Sequence, residues 1–447
     1  MKRIQFCILV FLLGALLEPA LADDSKFDIY KQLYQEVKPG QIEAFLKAYA
    51  SVLGATPHKI TKTVDGIVFD SNYDNGSLLD VEAAGSSTFN CSLYVEPGVL
   101  GTRQGWFRFR MTGVANRTIT LNIDSSQSPR QVIRVEGGSW RRLTAAESPQ
   151  SDVMVLDFGA AENEAEVAAF FPLGYAETYE HVAQLIGPSI HAATEVIGQS
   201  YEGREMWMVT VTDRSVPDSG KYRVWVHSRA HAGEVTSTHA ILGILEQAIE
   251  DSPLGELLRE RCIFNIVPLQ NIDGVYLGHT RWDSRGIDPE RQWCADQIPE
   301  AANIKAQVDG FMAGPNPIRV ALNLHSTFGS FEDTFFFKHL YPSVSLEFEE
   351  IEQRFIDAFR NATPLFDNRN PQTSQLHACQ FIESYFWNNW GEDVMALTHE
   401  GHYYRRITDG EYITDADYQE IGKGLATALV EYFGLLEPQR MVHMQVY

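Results

Sequence analysis

Beyond residue 172 the chain alternates short apolar runs with helical stripes, and that order constrains the fold more than any other feature. The runs at 222–227, 264–269, 320–324 and 394–397 have the length and composition of buried strands. After the first run, Ile241, Ile244, Leu245, Ala248 and Ile249 share one helical face, and Ile421, Leu425, Leu429 and Phe433 form a similar stripe near the end. Strands alternating with helices specify an α/β domain on a mixed, mostly parallel sheet flanked by helices. Ligands in such sheets gather at the carboxyl ends of the strands. The residues that close each run are therefore where chemistry is expected.

The preceding segments read differently. Over 60–168 the period is two: Phe107, Phe109 and Met111 alternate with arginines, and Ile119, Leu121 and Ile123 alternate with polar neighbours. Short alternating strands broken by Gly, Asn, Asp and Ser indicate a small β-sandwich. Residues 23–59 carry two helical stripes, Ile29, Leu33 and Val37, then Ile42, Phe45, Leu46 and Tyr49, separated by Pro39-Gly40. At the start, Lys2 and Arg3 precede an apolar stretch and Ala20-Leu21-Ala22, the pattern of an export signal over 1–22. A secreted or periplasmic protein is expected, without stable membrane insertion once the signal is removed. The remaining segment, 169–440, is the catalytic candidate.

With 36 Lys and Arg against 59 Asp and Glu, the net charge of −23 disfavours general binding to nucleic acid, which needs a basic surface. An exported chain permits disulfides. Cys262 and Cys294 flank one motif-bearing segment and are the first pair to consider, with buried free thiols as the alternative.

His231-Ala-Gly-Glu234 follows the run at 222–227 at a strand-to-helix turn. Imidazole nitrogen and carboxylate oxygen suit zinc, which at catalytic sites takes three protein ligands and leaves a position open. Alone, a His-x-x-Glu pair is close to chance in a chain with 13 His. His325 closes the run at 320–324 and supplies a third ligand, with Ser326 beside it on the substrate side. Glu400 closes the run at 394–397 and is placed to act as a general base. Between them lie Asn271-Ile-Asp-Gly274, Arg281 and Asp288-Pro-Glu-Arg-Gln-Trp293.

As an ordered set these motifs resemble the zinc carboxypeptidase (funnelin) family, most closely its cytosolic-carboxypeptidase-like branch, over residues ~60 to ~435. Phe170-Phe171-Pro172-Leu-Gly-Tyr175, Ser228-Arg-Ala-His231 and the stretch from Pro268 to Gly274 look like that branch's junction, zinc and Asn-Asp-Gly segments. The resemblance implies one Zn2+ per chain on His231, Glu234 and His325. It implies Glu400 as general base toward a zinc-bound water, Arg281 polarising the scissile carbonyl, and Arg291 gripping a terminal carboxylate. The substrate is then a peptide or peptide-like molecule.

Two departures stand out. Where the family shows an asparagine before the carboxylate-binding arginine, this chain has Glu290, an acceptor only when ionised. It is expected either to turn away and pair with Arg291 or Arg285, or to contact a cationic group of the substrate, such as a lysine or a diaminopimelate unit. Between Cys379 and Glu400 there is no Lys or Arg, but there are Glu383, Glu392 and Asp393, which argues against a polyglutamate specificity. Tyr385 is the tyrosine of that stretch and is carried over as a substrate-side residue, with aromatic core as its alternative. A metallocarboxypeptidase is the leading reading. A peptidoglycan or γ-glutamyl amide hydrolase on the same framework, and a catalytically silent binding protein of the same fold, are the others.

Overall fold

The computed structural model describes residues 59–94, 105–123, 130–293, 298–328, 331–374 and 381–435. The expected export signal and the helical segment before residue 59 lie outside the described residues. So do Cys294 and Cys379, whereas Cys91 and Cys262 are buried free thiols.

The first described part is all strand: β1 (Thr61–Val64), β2 (Ile67–Asp70), β3 (Asp80–Gly85), β4 (Thr88–Ser92), β5 (Arg108–Thr112), β6 (Thr118–Ile123), β7 (Val132–Val135), β8 (Arg141–Arg142), β9 (Val153–Asp157) and β10 (Glu164–Ala168). They form a six-stranded sheet, β1-β2-β5-β10-β7-β8, and a four-stranded one, β3-β4-β6-β9. The period-two pattern decides which side chains turn inward. Ile119, Leu121 and Ile123 of β6 and Phe109 and Met111 of β5 are buried, while Arg110, Thr120 and Asn122 between them are only partly buried. Phe69 and Phe89 meet across the two sheets with ring centroids 5.1 Å apart.

The second part holds helices α1 (Tyr175–Ile186), α2 (Thr236–Ile249), α3 (Pro253–Arg261), α4 (Ile272–Leu277), α5 (Pro299–Met312), α6 (Leu346–Ala362), α7 (Ile382–Trp390) and α8 (Asp415–Tyr432). Its strands are β11 (Ala192–Gln199), β12 (Glu205–Val211), β13 (Tyr222–Ser228), β14 (Cys262–Val267), β15 (Ile318–Thr327), β16 (Phe335–His339), β17 (Gln372–Ser374) and β18 (Met395–His402). They make one mixed sheet, β11-β12-β14-β13-β15-β18-β16-β17. The centre, β14-β13-β15-β18, is parallel, and antiparallel pairs flank it. Central β14 is buried at every residue, as its apolar composition requires of a strand covered on both faces.

β15 and β18 run further than their apolar cores suggested. His325 pairs with Glu400, and the two strands stay paired as far as Thr327 and His402. Side chains two apart on a strand share a face. The register therefore stacks two rows on one face of the sheet: His227, Asn323 and Thr398 below, then His325 and Glu400 above.

The strand-rich part is joined to this sheet through a continuous apolar core and several buried polar contacts. The Arg108 guanidinium binds Glu166 at 2.6 Å and both oxygens of Glu177, in the first turn of α1, at 2.6 and 2.7 Å. Lys59 Nζ and Asn75 Nδ2 donate to the carbonyls of Tyr276 and Val275, at the end of α4. The backbone N–H of Trp106 donates to the Thr280 hydroxyl at 3.2 Å. Lys59, Asn75 and Trp106 thus brace the segment that leads into Arg281. No helix among the described residues is long and apolar enough to cross a membrane.

Candidate metal centre and substrate site

His231 leaves the sheet through a local backbone reversal. Arg229, just past β13, has a φ of 58°, in the left-handed region. Its wholly buried guanidinium donates to the carbonyls of Ala232 and Leu173 at 2.8 and 3.3 Å, which holds that turn in place. Asn271 secures the neighbouring loop. Its Oδ1 caps Gly274 N, and its Nδ2 donates to the carbonyls of Arg281, Trp282 and Ala230. The Asn-Ile-Asp-Gly segment therefore aligns the His231 and Arg281 loops and does not itself reach the reaction centre.

Glu234, before α2, and His325, on β15, close on His231, and all three side chains are buried with ligand atoms within 4.8 Å of one another. Glu234 Oε1 lies 2.8 Å from His231 Nδ1, and Oε2 lies 2.7 Å from His325 Nδ1. The two Nδ1 atoms are 3.2 Å apart. Each imidazole turns its other nitrogen to a buried carboxylate: His231 Nε2 to Asp288 Oδ1 and His325 Nε2 to Glu290 Oε2, both at 3.2 Å. Carboxylates in that position keep the proton on Nε2 and leave a lone pair on Nδ1. Two lone pairs facing one another repel unless a cation lies between them. Zinc bound tetrahedrally at ~2.05 Å sets its nitrogen ligands about 3.3 Å apart, close to the spacing here. The donor set and its second layer both fit zinc. Although burial alone would lower it, His325 is driven well above the ordinary imidazole range by Glu234 and Glu290. A cation held at Nδ1 takes the place of that proton.

Asp288 is the residue that sequence reading passed over. It bonds His231 through Oδ1 and takes Arg281 Nε at 2.9 Å and Nη2 at 2.8 Å on Oδ2. One carboxylate thus orients both His231, of the candidate metal cluster, and Arg281. Burial would raise its carboxyl, but Arg281, His231 and Arg291 hold it well below the usual range. The available signal was chemical: a ligating histidine needs an acceptor behind it.

Glu290 behaves differently from the ion pair expected for it. Its oxygens accept from Asn323 Nδ2 at 3.0 Å and face His325 Nε2, while Arg285 pairs with Asp283 at 2.9 Å. Glu290 faces inward, behind His325 of the candidate metal cluster. Arg291 has no carboxylate partner among the described residues and lies over the Phe381 ring at 4.3 Å. Ser326 donates its N–H to Glu234 Oε2 at 3.0 Å, and its hydroxyl bonds Thr236, so this side chain supports the ligand and is buried beneath it.

Glu400 stands beside His325 in the register, with Oε2 enclosed and without a partner. Burial, reinforced by the charge of Glu234, pushes its carboxyl up to about 8. Tyr385 is not brought to the cluster. Its hydroxyl bonds Asp309 of α5, and its ring packs on Trp293 and Trp390 at 5.8 and 5.6 Å, in the aromatic setting that was its alternative. Three other described histidines are held elsewhere: His239 bonds the Phe171 carbonyl, His339 bonds Glu352, and His399 lies in a ring cluster with Phe336 and Phe359.

Residues 186–332 match the zinc carboxypeptidase family model. Cytosolic carboxypeptidase 6 of Mus musculus is 26% identical over 252 residues, covering 51% of this chain and 46% of that protein. Cytosolic carboxypeptidase 1 of Homo sapiens is 30% identical over 140 residues, 28% of this chain and 11% of that protein. The chain spans about half the length of the cytosolic carboxypeptidase 6 proteins that it matches. In fold it is similar to a metallo-carboxypeptidase from Burkholderia cenocepacia, with a TM-score of 0.68 at 19% identity, covering 82% of this chain and 99% of that one. A metallo-carboxypeptidase from Pseudomonas aeruginosa gives 0.69 at 18% identity, covering 83% and 100%. By sequence, residues 186–332 thus match the zinc carboxypeptidase family model, and the fold around them is similar to that of two solved metallo-carboxypeptidases.

Proposed function

We propose that the protein is a zinc-dependent metallocarboxypeptidase that hydrolyses the C-terminal amide bond of peptides or exported polypeptides. The observation that carries this reading is the layered centre: two imidazoles aim Nδ1 at Glu234, each backed by a carboxylate, with Glu400 unpartnered beside them. His231, Glu234 and His325 would hold the zinc, which when bound supplies Lewis-acid polarisation of a carbonyl and acidification of water.

The chain's own residues then divide the work. Glu400 takes a proton from the attacking water and returns it to the departing amine, a role suited to a carboxyl whose affinity for protons is raised. Arg281, held by Asp288, donates to the oxygen on which negative charge develops. Arg291 offers a planar guanidinium to the substrate's terminal carboxylate.

The test is Glu400→Gln in zinc-loaded protein, with turnover of blocked dipeptides and zinc content both measured. Loss of roughly 10²–10⁴ in rate with zinc retained is expected for a missing general base; equal activity in the variant refutes the assignment. An amide hydrolase acting on peptidoglycan or γ-glutamyl bonds would use the same framework, and muropeptides run beside the dipeptides separate the two. Export through residues 1–22 belongs to the same proposal. N-terminal sequencing of protein recovered outside the cytoplasm should begin at Asp23, and an intact Met1 would refute it.

A further inference from the structure

We propose that Trp106, in the strand-rich part, is a positioning residue of the metal centre, acting through Thr280 to fix the turn that carries His231 and Glu234. The inference rests on those residues holding zinc, as the carboxypeptidase reading requires.

The three ligand residues are not held alike. His325 lies in β15, between β13 and β18. His231 and Glu234 lie past the end of β13, in a turn that has left the sheet, so their distance from His325 depends on what holds that turn. Gly233, between them, is the point of attachment. Its N–H donates to the Thr280 carbonyl at 2.7 Å, and its carbonyl accepts from the Tyr403 hydroxyl at 3.1 Å. A Cβ added at Gly233 would lie 3.0 Å from Thr280 Cα and 3.1 Å from Trp106 Cβ, so little slack separates the three residues.

The Gly105-Trp106 pair reaches that glycine from both sides. Trp106 N–H donates to the Thr280 hydroxyl at 3.2 Å, which fixes the residue whose carbonyl holds Gly233. The buried indole donates to the Asn75 carbonyl at 3.1 Å. Asn75 in turn donates its N–H to the Tyr276 carbonyl at 2.9 Å and its side-chain amide to the Val275 carbonyl at 3.0 Å. Trp106 is therefore tied twice to the segment 275–280 and closes a ring with it. On the other side Gly105 abuts Phe328, where a Cβ would come within 2.8 Å of the ring. Phe328 stacks on Tyr403 with centroids 4.5 Å apart, and Tyr403 holds the Gly233 carbonyl. Thr280 also immediately precedes Arg281, so one link sets both the ligand turn and the arginine. A displacement of ~1 Å in such a centre is enough to cost about 10²-fold in rate.

Thr280→Val in the full chain removes the hydroxyl that Trp106 bonds and keeps the carbonyl that holds Gly233. Zinc affinity is read by competition with a chromophoric chelator, and ligand geometry from the visible absorption of the cobalt-substituted protein. Turnover at saturating zinc gives kcat and KM, and Tm reports the fold. Zinc should bind on the order of tenfold more weakly, since the Trp106 N–H loses this acceptor. The cobalt band should shift, and kcat should fall roughly tenfold or more with KM nearly constant. Thr280→Ser, which keeps the hydroxyl, is expected to restore all three. Trp106→Phe keeps the N–H, loses the indole bond, and should move the same quantities in the same direction; it decides the matter alone if Thr280→Val does not fold. A lowered Tm with wild-type zinc affinity and cobalt spectrum overturns the proposal, because a residue that only stabilises the fold gives that result. Equal impairment in Thr280→Ser and Thr280→Val overturns it too, since the hydroxyl would not be the link. If the wild type binds zinc but cleaves no blocked dipeptide, the carboxypeptidase reading falls, while the zinc and cobalt measurements still decide the role of Trp106. A wild type that binds no zinc overturns both.

Discussion

Asp288→Asn tests the geometry of the centre most sharply, because no orientation of the new amide fits. The carboxylate receives two donors on each oxygen: His231 Nε2–H and Glu290 N–H on Oδ1, Arg281 Nε–H and Nη2–H on Oδ2. Asparagine has one acceptor oxygen and one NH2 group. Whichever way it turns, the NH2 group meets donors, either the guanidinium or the imidazole and backbone pair. Losing a charge-assisted bond costs ~1.5–3 kcal/mol. Where the imidazole bears the loss, zinc affinity should fall roughly 10–100-fold, the range seen when a ligand's outer partner is removed. Where Arg281 bears it, kcat/KM should fall on the order of 10²-fold or more, the usual effect of losing an oxyanion donor. The assay is competition for zinc with a chromophoric chelator, alongside kcat/KM at saturating zinc and circular dichroism to show an intact fold. A variant with wild-type zinc affinity and wild-type kcat/KM would refute the claim that Asp288 links ligand and arginine.

Other expectations follow from buried groups nearby. Glu290→Ala should weaken zinc binding roughly 10-fold or more, because it strips His325 of its acceptor; a change confined to KM would mean that Glu290 meets the substrate and does not serve the ligand. Glu300, in the first turn of α5, is buried beside Asp273 and Asp283, and burial pushes its carboxyl up to about 7. A folded pKa raised above the unfolded one makes the native state bind the extra proton. Stability from this group therefore falls as pH rises from about 4.5 through about 7. Glu300→Gln should gain on the wild type by about 2–3 kcal/mol between pH 5 and pH 8, read from denaturant unfolding at each pH; a difference that does not change with pH refutes it. At Gly274 an added Cβ would overlap the Trp282 carbonyl oxygen. Gly274→Ala should destabilise by ~1–3 kcal/mol or more and lower activity, because the Arg281 loop must move; an unchanged Tm and kcat/KM would count against that packing.

Much of the centre was legible without coordinates because its residues close apolar runs. His325 and Glu400 end recognisable strand cores, and a parallel sheet delivers such positions to one edge. The ordered spacing of His231, Glu234, Arg281 and Arg291 is likewise a property of the linear sequence. The layer behind them was not, since a hydrogen bond across 57 residues, such as that from His231 to Asp288, leaves no local pattern. Tyr385 shows the same limit from the other side: the resemblance carried it over as a substrate-side residue, but in the structure its hydroxyl bonds Asp309.

By itself, then, the sequence determined the strand–helix order, the period-two region before it, and the residue types able to hold zinc, because periodicity and charge act over a few residues. Tertiary structure decided what each of those residues does. Register placed Asn323 and Thr398 beneath the ligands, the inward turn of Glu290 set it against His325, and the strand-rich part came to brace the Arg281 loop. These are contacts between distant segments, fixed by how buried polar groups find partners once the sheet has formed.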